Sequence, residues 1–143
     1  MVSQKNVLFV LVCIAALHFV ATFFYWYWTY RWIDMPMHFL GGFWVAMAFF
    51  YFLYPKIHFT EYSVLSTVLL ALSFVVFVGV LWEFYEFLYD FFVTKRIFTD
   101  QNLFGAAMRI DMIKDLFFDL FGGSVFTMFF LRKNVKEPYI GNR

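Results

Sequence analysis

The sequence predicts an all-helical membrane protein, a bundle of four transmembrane helices with both termini on the inner side, and three observations carry that prediction. Hydrophobic residues make up 64% of the chain and charged residues only 15%, a balance far from that of soluble domains. The apolar residues gather into four runs, each close to the roughly 20 residues that cross a hydrocarbon core as a helix. Proline, polar links and a dense aromatic belt separate those runs. The whole chain, residues 1–143, reads as a single transmembrane domain.

Composition also excludes function classes. Aromatics reach 27%, with 24 Phe, an abundance that lipid contact and core packing explain better than a cofactor pocket does. The net charge of +1 offers no basic field for nucleic acid. A single cysteine, Cys13, rules out an intramolecular disulfide and a thiolate metal site. Its neighbours Leu11 and Val12 lack the small residues of a lipoprotein cleavage site, so Cys13 is expected in the buried core. The first apolar run is too long for a cleaved signal peptide and is expected to be retained.

Segment one runs from about Val7 to Trp28 and ends in the belt Tyr25-Trp26-Tyr27-Trp28-Thr29-Tyr30-Arg31-Trp32, which marks a membrane interface. His18, one turn before Thr22, is expected to hydrogen-bond between helices. Asp34 followed by Pro36 suits an N-cap with proline in the first turn, so segment two spans about 36–54 and stops at Tyr54-Pro55. After the link Lys56 to Glu61, segment three covers about 62–93 and carries Glu83 and Glu86 near its far end. The mixed stretch from Thr94 to Arg109 has room for a short interfacial helix. Segment four covers about 111–131 and is followed by the basic Arg132-Lys133-Asn134-Val135-Lys136 and a tail expected to fray. With the N-terminus inside, six Lys and Arg face six-against-five the outer set of Arg31, Lys95, Arg96, Arg109 and Lys114. The compact basic tail tips the orientation towards both termini cytoplasmic.

Segment four opens on Asp111, Asp115 and Asp119. Residues four apart on a helix drift by only about 40°, so these acids share one face. Each carboxylate facing hydrocarbon would cost about 2.5–3.5 kcal/mol at the helix centre, so this face must meet protein, water or a cation. Four alternating spans bring the start of segment two, the end of segment three and the start of segment four to one leaflet. Asp34 and His38, Glu83 and Glu86, and Asp111, Asp115 and Asp119 therefore converge, whichever way the chain is oriented. An internal echo accompanies them: Asp34-Met-Pro-Met-His38-Phe-Leu-Gly41-Gly42 aligns without gaps on Asp115-Leu-Phe-Phe-Asp119-Leu-Phe-Gly122-Gly123, with Met47 opposite Met128. Segments two and four thus read as a pseudo-symmetric pair whose glycines permit close approach.

Six carboxylates and an imidazole form a hard donor set suited to Mg²⁺, Mn²⁺ or Ca²⁺, and the histidine also admits Zn²⁺ or Fe²⁺. Asp34, His38, Glu83, Glu86, Asp115 and Asp119 are the candidate metal ligands, with Glu83, Glu86 and Asp119 as candidate catalytic acids or bases. Asp111 is an outer residue or cap, and Arg109 and Lys114 are candidates to bind a phosphate or to neutralise the acids. Plainer readings stand beside these. Asp34 and Asp111 suit interfacial N-caps, Glu83 and Glu86 suit ion pairs with Arg31, Arg96, Arg109 or Lys114, and His38 alone suits a hydrogen-bonded histidine.

At Asp34-x-x-x-His38-Phe-x-Gly-Gly, Trp82-Glu83-x-x-Glu86 and Asp111-x-x-x-Asp115 the sequence resembles the YjdF-like family of small bacterial inner-membrane proteins and, more distantly, the VanZ-like proteins. The resemblance covers segments two to four and implies a helical protein of the bacterial inner membrane whose motif acids are functional. VanZ-like proteins are linked to glycopeptide resistance, which implies the cell envelope. The chain departs from the pattern between Thr94 and Arg109, where a more Gly-rich approach to the Asp pair is expected. The leading expectation is a metal-dependent hydrolase or transferase acting on a membrane lipid or lipid-linked head group, with no nucleic-acid partner and with room for a homo-oligomer. An ion or proton carrier using the same acids, and a small structural subunit of an envelope complex, are the alternatives.

Overall fold

The computed structural model describes residues 2–30, 32–56, 63–94 and 106–134. Helix α1 spans Gln4–Phe23. Its start is set by Ser3, whose hydroxyl accepts from the Asn6 N–H at 3.2 Å, a standard N-cap. It ends earlier than the expected Trp28 because Tyr25 takes a left-handed conformation, φ 59°, which no helix interior tolerates. The belt then forms a separate turn, α2, over Trp26–Thr29.

Helix α3 covers Asp34–Phe52 and passes into a 3₁₀ turn at Tyr54–Lys56, where Pro55 denies the next α-helical donor. Ile33, not Asp34, is the flanking residue. Asp34 is therefore the first helical residue rather than the N-cap, and its carboxylate is free to look along the helix towards His38. Helix α4 spans Val64–Tyr89, capped by the Ser63 hydroxyl accepting from Ser66 N–H at 3.1 Å, and widens into a π-helical turn at Asp90–Thr94. Helix α5 runs over Ala106–Asn134. Of the stretch Thr94 to Arg109, where a short interfacial helix is expected, Thr94 ends the π-helical turn and 106–109 open α5, while 95–105 lie outside the described residues, as do the Lys56–Glu61 link after Lys56 and the tail after Asn134.

Among the described residues three helices are long and apolar enough to cross a membrane, Gln4–Phe23, Asp34–Lys56 and Val64–Val93. Helix α5 is longer, roughly 43 Å at 1.5 Å per residue, but acids in its first half and Arg132 and Lys133 in its last turn set it apart. No strand occurs among the described residues.

The core forms around α3. Val45, Ala46, Met47, Phe49 and Phe50 are buried against Ala71 and Val75 of α4 and Phe126 and Phe130 of α5. Helices α3 and α5 run side by side in the same direction: Phe39 meets Phe121 at 5.3 Å between ring centroids, Phe43 meets Phe126 at 5.1 Å, and Phe50 stacks on Phe130 at 4.1 Å. Gly42 and Gly122 make this closeness possible. A Cβ on Gly42 would run into the backbone of Asp119, and one on Gly122 into the backbone of Phe39, so small residues let two backbones touch where packing must supply association.

Helix α1 is the outlier. Only Val7 and Ala21 are buried in it, and the Trp44 indole donates to the Val7 carbonyl at 2.9 Å. Cys13 is accordingly exposed, contrary to the core position expected for it, because a helix touching the bundle along one edge turns most of its apolar surface outward. His18 makes the expected bond between helices, but to the short neighbouring α2 rather than across the bundle. Its Nδ1 lies 2.8 Å from the Tyr27 hydroxyl, and its ring stands edge-on to Trp82 of α4 at 6.4 Å.

Candidate metal centre

His38 is the hub of the acidic end. It sits one turn into α3 and is buried, with only 5% of its side chain exposed. Its Nε2 lies 3.7 Å from Asp34 Oδ1 on the same helix, 3.9 Å from Glu83 Oε1 of α4 and 4.0 Å from Asp115 Oδ1 of α5. Its Nδ1 points the other way, to Asp119 Oδ2 at 3.4 Å. Three helices thus deliver acids to one imidazole, and the spacings are those read in the sequence: Asp34 and His38 are four apart, Asp115 and Asp119 are four apart, and Glu83 and Glu86 are three apart.

The donor atoms form two groups around His38. Asp34, His38 and Asp115 each offer one, all within 4.8 Å of one another, and His38, Glu83 and Glu86 do the same. A hexacoordinate cation with bonds of about 2.1–2.4 Å holds adjacent ligand atoms about 3.0–3.4 Å apart and opposite ones about 4.2–4.8 Å apart. The observed spread lies within reach of that pattern after small rotamer shifts. Two buried oxygens sharpen the fit. Asp115 Oδ1 and Glu83 Oε1 have no hydrogen-bond partner among the described residues, and the Asp115 side chain is only 4% exposed. A buried carboxylate oxygen left unpartnered is costly, and both of these face the same Nε2. The residues therefore fit a hard divalent cation.

The remaining candidates divide. Glu86 is half-buried and its Oε1 accepts from the Trp82 indole at 2.9 Å, so a residue from the same helix holds it. Asp111 is exposed and pairs with Lys114, Nζ to Oδ1 at 2.7 Å. Lys114 is thereby committed to Asp111 rather than to the buried acids, while Arg109 is exposed. Asp119 is buried beside His38 but belongs to neither donor group.

Sequence reasoning missed Gly79. A Cβ there would lie 2.6 Å from Asp119 Oδ2 and 3.0 Å from Leu116 Cδ2, so its bare backbone is what leaves room for the Asp119 carboxylate. The signal was present: Gly79 is four residues before Glu83, on the helix face that meets the site.

Comparison with known proteins agrees with the membrane reading. The chain belongs to the family described as "Predicted membrane protein (DUF2238)", whose profile matches residues 3–136. It is similar to a Thermotoga maritima protein named "Uncharacterized protein", 35% identical over 106 residues. The match covers 74% of this chain and 47% of that protein, so the chain spans about half the length of its curated relative. No solved structure matches.

Proposed function

We propose that this protein is a metal-dependent membrane enzyme, a hydrolase or transferase acting on a lipid or lipid-linked head group at the acidic mouth of its helix bundle. The observation that carries the reading is the pair of buried carboxylate oxygens, Asp115 Oδ1 and Glu83 Oε1, that make no hydrogen bond among the described residues and turn towards His38 Nε2 at 4.0 and 3.9 Å. Asp34, His38, Glu83 and Asp115 would hold the cation, with Glu86 from the second donor group. The chemistry a divalent cation would supply there is that of a Lewis acid for a phosphoryl or carbonyl oxygen, or for a water. Glu86, steadied by the Trp82 indole, is the group placed to take or give a proton, and the exposed Arg109 is the one to meet a phosphate.

Two features support a site open to one side over a carrier. Past the glycine crossing, the stacked rings of Phe50 and Phe130 and the buried Met47 and Val75 line the interior, and the buried polar residues there among the described ones are Thr67 and Thr127 rather than further acids or histidines. An apolar crevice lined by Leu69, Leu72, Ser73, Val76 and Leu120 lies between α4 and α5, running from about 10 to about 21 Å of helix rise from Glu83, where an acyl chain would rest with its head group at the acids. Four spans with both termini cytoplasmic, the orientation the basic tail favours, would open the site on the outer leaflet of the bacterial inner membrane that the YjdF-like resemblance implies.

The test is elemental analysis and Mn²⁺ titration of the full chain in detergent, beside the double variant Glu83→Ala with Asp115→Ala. We expect near-stoichiometric metal in the wild type and at least a hundredfold weaker binding in the variant, with EDTA-sensitive head-group release from a bacterial lipid extract. A wild type that retains and binds none of Mn²⁺, Zn²⁺ and Mg²⁺ refutes the metal centre. Metal binding without any release of head group from that extract refutes the enzyme.

A further inference from the structure

The imidazole of His38 meets two different environments. Nε2 faces three carboxylates from three helices, while Nδ1 faces Asp119 Oδ2, the one carboxylate paired with that nitrogen among the described residues. A histidine that binds metal through one nitrogen commonly donates its other N–H to a carboxylate, which fixes the tautomer and the ring plane. Asp119 stands where such a carboxylate belongs, and three features of its surroundings hold it there. The residue is 6% exposed. The Asp119 backbone is wedged against Gly42, where any Cβ would collide with it. Its Oδ2, the atom nearest His38, occupies the space that a side chain at Gly79 would fill.

We propose that Asp119 is the positioning residue of the centre: it accepts the Nδ1–H of His38, leaves Nε2 as the nitrogen that meets the cation, and is itself seated by the gap at Gly79. This rests on the metal-centre reading for its purpose, but not for its geometry. The 3.4 Å separation is long for an N–H···O bond. A cation at Nε2 would draw electron density from the ring and make Nδ1–H a stronger donor, so the contact is expected to tighten on loading. The proposal also separates Asp119 from its sequence neighbour Asp115. Both lie on one face of α5, yet Asp115 turns its unpartnered Oδ1 towards Nε2 while Asp119 meets the opposite side of the same ring.

The glycines supply a test that leaves every acid in place. Gly79→Ala puts a methyl group 2.6 Å from Asp119 Oδ2 and must push that carboxylate off Nδ1, whereas Gly41→Ala meets Asp119 Oδ1 at 3.7 Å, an ordinary contact. Full-length protein is labelled with ¹⁵N-histidine, its three histidines assigned with His18→Gln and His58→Gln. Imidazole spectra are recorded metal-free, at a pH where the ring is neutral, and again with Zn²⁺. Zn²⁺ and Mn²⁺ affinities are measured by calorimetry on the same samples.

The proposal expects the proton on Nδ1 and zinc on Nε2 in the wild type and in Gly41→Ala. Asp119→Ala and Gly79→Ala should lose the Nδ1–H preference and bind metal about tenfold to a hundredfold more weakly, while Asp119→Asn, which keeps an acceptor oxygen, should retain the tautomer and lose less. If Gly79→Ala fails to fold, the Asn and Ala variants of Asp119 carry the comparison alone. Zinc on Nδ1, or an Asp119→Ala protein with the wild-type tautomer and affinity, overturns the positioning role. A wild type that binds neither metal while holding an Asp119-dependent proton on Nδ1 supports the positioning role and overturns the metal centre, so the two failures are distinct.

Discussion

The stretches Asp34–Gly42 of α3 and Asp115–Gly123 of α5 carry the same pattern of an Asp, a polar residue four positions on, and a Gly-Gly pair three further. They run in the same direction and cross at those glycines, where a Cβ on Gly123 would sit 3.4 Å from the Gly42 carbonyl. The glycines serve the same close approach in both, yet the chemistry diverges at the matched polar positions and at the methionines. Asp34 is one-third exposed while Asp115 is buried. His38 and Asp119 face each other across the pair instead of doing the same work twice. Met47 is 7% exposed in the core and Met128 is 71% exposed on the outside. A repeated backbone pattern thus builds one asymmetric site, because a parallel pair turns only one face of each helix towards its neighbour.

The largest effect should come from breaking the crossing itself. Gly42→Ala and Gly122→Ala each force a methyl group into the opposite backbone, which cannot rotate away as a side chain can, so the α3–α5 contact must open. Neither variant should keep the wild-type thermal transition in detergent; an unchanged transition for both would show that the crossing is looser than described. Next in size is the methionine pair. Met47→Ala should cost about 2–5 kcal/mol by leaving a core cavity, whereas Met128→Ala should stay within about 0.5 kcal/mol, as read from detergent melts of the two proteins side by side. The smallest effect contrasts the two mouth acids. In metal-free protein Asp115→Asn should stabilise by about 1 kcal/mol, since it removes one of several buried like charges crowded around His38, on a carboxylate whose Oδ1 makes no hydrogen bond among the described residues. Asp34→Asn, closer to solvent, should change little. Equal responses would mean the two acids are not differently buried.

The helices and the convergence of the acids were legible because both depend on short-range periodicity. Asp34 with His38, Glu83 with Glu86 and Asp115 with Asp119 each declared a helix face, and alternating spans then brought the three faces to one end. What stayed hidden depends on helix rotation and on which edges touch. Cys13 reads as core from its neighbours alone, yet α1 packs along a single edge and leaves it exposed. The belt from Tyr25 to Trp32 reads as the end of one helix, but the left-handed Tyr25 cuts it into two pieces. Asp115 and Asp119 look equivalent on a helical wheel. Only the depth of the glycine crossing sends one to Nε2 and the other to Nδ1 of the same ring.

The bond from the Trp82 indole to Glu86 Oε1 gives the acidic mouth an optical readout. An indole whose N–H is tied to a carboxylate changes its emission when that carboxylate is drawn elsewhere, so ion arrival at Glu86 should alter the protein's ultraviolet fluorescence without any added dye. Trp82→Phe would silence that signal and leave the other four tryptophans glowing as before.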